Sequence, residues 1–119
     1  MTPQSGRAHV FVATIVLQEL WAGAGTAAQR LYLERLYRLA REQRRLLNPP
    51  SAAWILAGQT LRILACTHRL GSSRLRALRN DVLLAATALF HGVAVITRNA
   101  DDFALIAAVL PIRVVAPPA

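Results

Sequence analysis

The 119-residue chain has no lysine, a single cysteine and only six acidic residues. With Cys66 alone, no disulfide can form within the chain, and a reducing cytoplasm is the expected location. The opening MTPQSGRAH has no apolar core of the kind a secretory signal carries. The longest apolar stretch, around residues 82–96, is broken by His91-Gly92 and is too short to span a bilayer. His9, His68 and His91 lack metal-ligand spacing and read as structural or exposed. There is no internal repeat and no low-complexity tract.

What remains is apolar and basic. Hydrophobic residues make up 55% of the chain, enough for a sizeable core with apolar surface left over for a partner. All 14 basic residues are arginine, for a net charge of +8. Exclusive arginine follows from a biased genomic base composition as readily as from function, but arginine is also the better residue for bidentate phosphate contacts. Residues 26–79 hold eleven arginines against Glu34 and Glu42, whereas the rest of the chain holds three against Glu19, Asp81, Asp101 and Asp102. The basic middle is a candidate surface for a polyanion or an acidic partner.

Residues 1–8 are polar and read as frayed, and residues 9–116 read as one domain. His9 to Leu17 opens as a buried strand and turns helical near Thr14, which could cap a helix carrying Glu19 and ending at Gly23 and Gly25. Thr26 to Leu47 reads as a long helix with Tyr32, Leu36, Leu39, Ala40 and Leu47 on one face. Arg30, Glu34, Arg38 and Glu42 alternate in sign on another face. Asn48-Pro49-Pro50 stops that helix, and Ser51 can cap the next, to about Thr67. Cys66 is expected as a small core residue, and Trp21 and Trp54 as core or interface.

The chain is organised around Asn80 to Phe103, which reads as helix, tight turn, buried strand and helix. Val82 to Phe90 is apolar except for Thr87, Gly92 is a C-cap, and Val93 to Ile96 is a short strand of the doubly covered kind. Asp81 falls in the first turn of the leading helix, and Asp101 and Asp102 open the next, where the helix dipole favours negative charge. Ala104 to Val109 continues that helix, and Ile112 to Val115 reads as a last strand. Clustered carboxylates cannot all stay ionised in a low-dielectric cleft without a cation. A hard divalent ion such as Mg²⁺ or Mn²⁺ resolves the conflict, taking oxygen ligands and activating water near a phosphate. Acids beside an arginine-rich surface therefore suggest metal-dependent phosphodiester hydrolysis.

The run Asp81-Val-Leu-Leu-Ala-Ala-Thr-Ala, followed by Gly92, Ile96-Thr97-Arg98-Asn99 and Asp102-Phe103, resembles the C-terminal half of a PIN domain, closest to the VapC-type toxins of toxin–antitoxin pairs. The stretch Val10-Phe11-Val12 to Leu17-Gln18-Glu19-Leu20-Trp21-Ala22-Gly23 resembles that family's second motif. The resemblance covers residues 9 to 116 and implies a three-layer α/β/α fold with a short parallel sheet. It also implies an endoribonuclease dependent on Mg²⁺ or Mn²⁺, with RNA as substrate, a small antitoxin protein as partner and a homodimer as assembly. Glu19, Asp81 and Asp102 match three of the family's acidic metal-site residues, and Thr97 and Asn99 match its neighbouring polar residues. Asp101 is then a solvated neighbour.

The sequence departs from the family at one place. The family opens with a strand ending in Asp-Thr-x-Val-Leu, whose Asp is the first metal ligand, and no such motif precedes Glu19. Placing Val12-Ala13-Thr14-Ile15-Val16-Leu17 on that motif puts Ala13 where the Asp belongs. In either register the first acid is missing, and the expected cause is a chain whose N-terminal central strand is lost or degenerate. Two readings follow: a ribonuclease with an incomplete acidic site, or a non-catalytic remnant that binds antitoxin or RNA. A general basic RNA-binding protein is a third.

Overall fold

The computed structural model describes residues 9–118, so the segment expected to fray, residues 1–8, lies outside the described residues. The fold is α/β, with five helices and two short parallel sheets among the described residues. In order these are β1 (Val12–Ala13), α1 (Thr14–Ala22), α2 (Ala27–Glu42), β2 (Leu46–Leu47), α3 (Ser51–Thr67), α4 (Ser72–His91), β3 (Val95–Ile96), α5 (Ala100–Ala107) and β4 (Val114–Val115). The chain divides into two compact units between Leu47 and Asn48. No described helix is long and apolar enough to cross a membrane.

In the first unit β1 and β2 pair in parallel, Val12 opposite Leu46 and Ala13 opposite Leu47. A parallel pair needs a crossover, and α1 and α2 supply it. The Thr14 hydroxyl, expected as a cap, belongs instead to the first residue of α1 and donates to the Leu47 carbonyl at 3.3 Å, tying the helix start to β2. Gly23 closes α1 as expected. A reciprocal capping box then opens α2: Thr26 Oγ1 accepts from the Gln29 amide and Gln29 Oε1 from the Thr26 amide, both at 3.1 Å. The long helix stops at Glu42, short of the expected Leu47. Arg44 turns to a positive φ of 56°, and Leu46 and Leu47 join the sheet, because strand pairing with β1 outweighs continuing the helix. The face of α2 that is covered runs through Leu33, Leu36 and Ala40, one residue round from the expected face; Tyr32 and Leu39 are exposed.

In the second unit α3 buries Ala53, Ala57, Thr60 and Leu64, whose spacing of four, three and four residues makes a stripe of mostly small side chains. Along that stripe α3 packs against α4, which buries Leu78, Val82, Leu83 and Ala85 to Ala88. Small residues at this seam let the two backbones approach closely. The two buried hydroxyls are satisfied within their own helices, Thr60 by the Leu56 carbonyl at 2.8 Å and Thr87 by the Leu83 carbonyl at 2.7 Å. Phe103 and Ile106 of α5 are fully buried and packed with α4; each contributes about 1.5–3 kcal/mol through burial. Gly92 ends α4 in the left-handed region at φ 68°, its amide donating to the Leu89 carbonyl at 3.2 Å. β3 then pairs in parallel with β4, Val95 opposite Val114.

Two expectations about single side chains are corrected, Cys66 and Asp81, and that for Trp21 and Trp54 is narrowed from core or interface to interface. Cys66 is exposed rather than in the core, because the buried stripe of α3 passes through Leu64 and leaves Cys66 on the outer face. Trp21 and Trp54 are likewise exposed, at 38% and 59% of their surface, so neither is a core residue of its unit. Asp81 is not in a first turn: α4 begins at Ser72, and Asp81 lies well inside it.

Candidate functional site at the carboxyl end of β3

In the second unit β3 ends at Ile96, and the chain passes through Thr97-Arg98-Asn99 into α5. The strand fixes the start of this turn: the Val95 amide donates to the Arg113 carbonyl at 2.8 Å and the Thr97 amide to the Val115 carbonyl at 3.1 Å. Thr97 Oγ1 accepts from the Asn99 amide at 3.0 Å, folding the turn back on itself. Asn99 holds the cap position of α5 without capping it; its side-chain Nδ2 instead donates to Asp102 Oδ2 at 2.7 Å. Three of the residues singled out in the sequence, Thr97, Asn99 and Asp102, thus form one hydrogen-bonded run.

The other oxygen of Asp102 is also engaged. Arg74 Nη2 donates to Asp102 Oδ1 in a salt bridge between side chains 44% and 20% exposed. Arg74 stands in the first turn of α4 and Asp102 in the first turn of α5. The Arg74 guanidinium first, and the Asn99 amide second, hold the Asp102 carboxyl below the usual aspartate range, against the opposing effect of burial. The same bond raises the Arg74 guanidinium further above its ordinary value, with Asp81 adding a weaker electrostatic contribution of the same sign. Asp81 follows Arg74 by seven residues, roughly two turns along the same face of α4, and is half-buried.

Sequence reasoning missed Arg74. A helix read as opening at Asn80 separates it from Asp81, whereas one running from Ser72 puts the two on one face. The available signal was an arginine in a helical first turn that carries no acid, where the dipole disfavours a cation.

In the first unit Glu19 lies on α1 and is exposed, not enclosed by Leu17, Leu20 and Trp21. It borders a groove of about 470 Å³ together with Leu20, Gly23, Ala28, Tyr32 and Leu33 of α1, α2 and their connection. Ala13, which one register of the family resemblance sets against the first acid, is the last residue of β1 and the cap of α1. Among the described residues no group of three His, Cys, Asp or Glu side chains is arranged to hold a metal ion.

A protein-family model described as PIN domain matches residues 4–109. No curated protein matches the chain.

Proposed function

The chain belongs to the PIN domain family, a nuclease fold, and on that premise we propose an RNA-binding member of the VapC toxin type that does not hydrolyse its RNA. PIN domains generally use divalent metal ions, and Mg²⁺ or Mn²⁺ is the ion the acids of such a site would hold. The donor set here does not fit one. Such an ion needs several carboxylate oxygens directed at it, and here one oxygen of Asp102 faces the Arg74 guanidinium, a cation already in place, and the other the Asn99 amide. No third acid joins a metal-holding group among the described residues, and a methyl group stands at Ala13. The single observation that carries the reading is the Arg74–Asp102 salt bridge, a positive charge seated on the acid best matched to the family's motif.

RNA remains the partner of choice on charge. The chain carries +8, and Arg35, Arg38 and Arg41 are exposed along α2. We take residues 9–116 as one such domain. A small antitoxin protein and a homodimer are the proposed protein partners, supported by the exposed apolar side chains Trp54 and Ile55 on α3 and Leu20 and Trp21 on α1.

A second reading, a metal-dependent endoribonuclease with Glu19, Asp81 and Asp102 as ligands, is favoured by one observation: Asp81 lies about two turns along the helix face of Arg74, whose guanidinium binds Asp102. Incubation with labelled RNA in Mg²⁺ or Mn²⁺ separates the two. Binding without cleavage supports the first; cleavage abolished by Asp81→Asn establishes the second.

A further inference from the structure

The disagreement between the family's metal and this chain's donors points to a substitute. We propose that Arg74 is the resident cation of the site, its guanidinium balancing Asp102, with Asp81 further along the same helix face, where a divalent ion would otherwise be required.

Position argues for it. The helix dipole disfavours an arginine in the first turn of α4, since the positive end of the macrodipole repels it. The turn contains no acid to offset the charge, and no side chain caps it. Asp102, from the first turn of α5, supplies the anion from another element. That carboxylate thereby serves two helix starts at once. Asn99, held by Thr97, fixes its second oxygen, so the carboxylate is oriented toward Arg74 from both sides. A guanidinium is suited to this work because it stays charged at any physiological pH and presents donors in a rigid fork. Asp102 then keeps its charge without an added ion.

The inference does not need the RNA reading to hold, because its test involves no RNA. The full chain, Arg74→Lys and Arg74→Gln are titrated with Mn²⁺ by calorimetry, and each is unfolded thermally with and without Mn²⁺. The wild type is expected to show no Mn²⁺ heat at millimolar metal and no change in Tm, and Arg74→Lys to behave in the same way. Arg74→Gln, which takes the cation from Asp102, is expected to lose a few degrees in Tm and to regain most of the loss in Mn²⁺ or in about 1 M salt, where the screening length falls to roughly 3 Å. Wild-type Mn²⁺ binding at millimolar metal overturns the proposal, as does an Arg74→Gln variant whose Tm matches the wild type. Should Arg74→Gln not fold, Arg74→Gln/Asp102→Asn decides: recovered folding supports charge balance, and continued failure overturns it. Failure to bind RNA would sink the function proposed above and leave Arg74 in its role.

Discussion

Arg74 and Asp102 join the first turns of two different helices, α4 and α5, through one salt bridge. The bond lies at the carboxyl end of β3, where α/β folds gather their reactive groups. Its pH dependence has a definite sign. Asp102 is depressed in the folded protein, so the unfolded chain takes up the proton first as pH falls. The stability this group contributes is present above the unfolded aspartate value, about 3.9, and is lost as pH falls below it toward the folded value. On account of Asp102, urea midpoints should therefore not change with pH near neutrality, where the wild type should lie above Asp102→Asn. They should fall in acid more steeply for the wild type than for Asp102→Asn.

The two glycines Gly92 and Gly58 should respond to alanine in opposite directions. Gly92 holds φ 68° with open space around an added Cβ, so the cost is purely conformational, about 1 kcal/mol. Gly58 is exposed inside α3 with nothing within 4 Å of an added Cβ. Alanine there should stabilise by about 0.5–1 kcal/mol through helix propensity. Chemical denaturation of both variants checks the pair, and equal signs would contradict the backbone assignment.

Local punctuation was legible in the sequence. Gly23 and Gly92 end their helices where residue chemistry says they must, since each acts through its own backbone, whereas the Pro49-Pro50 break, expected to stop the long helix, follows β2 instead. The strand at Leu46–Leu47 was not legible, because helical composition continues through it and only pairing with β1 pulls it out. Cys66 misled for a similar reason: burial depends on which face of α3 meets α4, and that follows from the Ala53, Ala57, Thr60 and Leu64 stripe rather than from residue type. At the site, Thr97, Asn99 and Asp102 could be read because they are neighbours in sequence. Arg74 is 28 residues away from Asp102, so its partner cannot be read from its neighbours in sequence.

Thr87 tests whether the buried side of α4 depends on a polar group. Its side chain is fully buried, and its hydroxyl donates only along its own helix, to the Leu83 carbonyl. That carbonyl is a helical acceptor with an amide donor of its own, so removing the hydroxyl strands no partner. Valine has nearly the same shape, and Thr87→Val should be neutral or mildly stabilising within about 1 kcal/mol. Thr87→Ala should cost more, because it opens a cavity beside α4. A larger loss for valine than for alanine would show that the hydroxyl matters beyond its own turn.

Salt dependence tests whether the arginines meet RNA. Arg35 and Arg38 are exposed on α2, while Arg30 donates to the Ala24 carbonyl at 3.3 Å and Arg41 lies over the Tyr37 ring at 5.3 Å. Arg30 and Arg41 thus have structural work in the first unit, and changing them confounds binding with folding. Arg35 and Arg38 are the cleaner probes. If each meets a phosphate of single-stranded RNA, Arg35→Ala/Arg38→Ala should lower the slope of log K against log salt by about 1.4, roughly 0.7 for each contact. The loss of affinity should be nearly the same for every sequence tried, because phosphate contacts carry no base information. An unchanged slope would move the RNA surface away from α2, to the arginines of the second unit at Arg76, Arg79 and Arg98, which are also exposed.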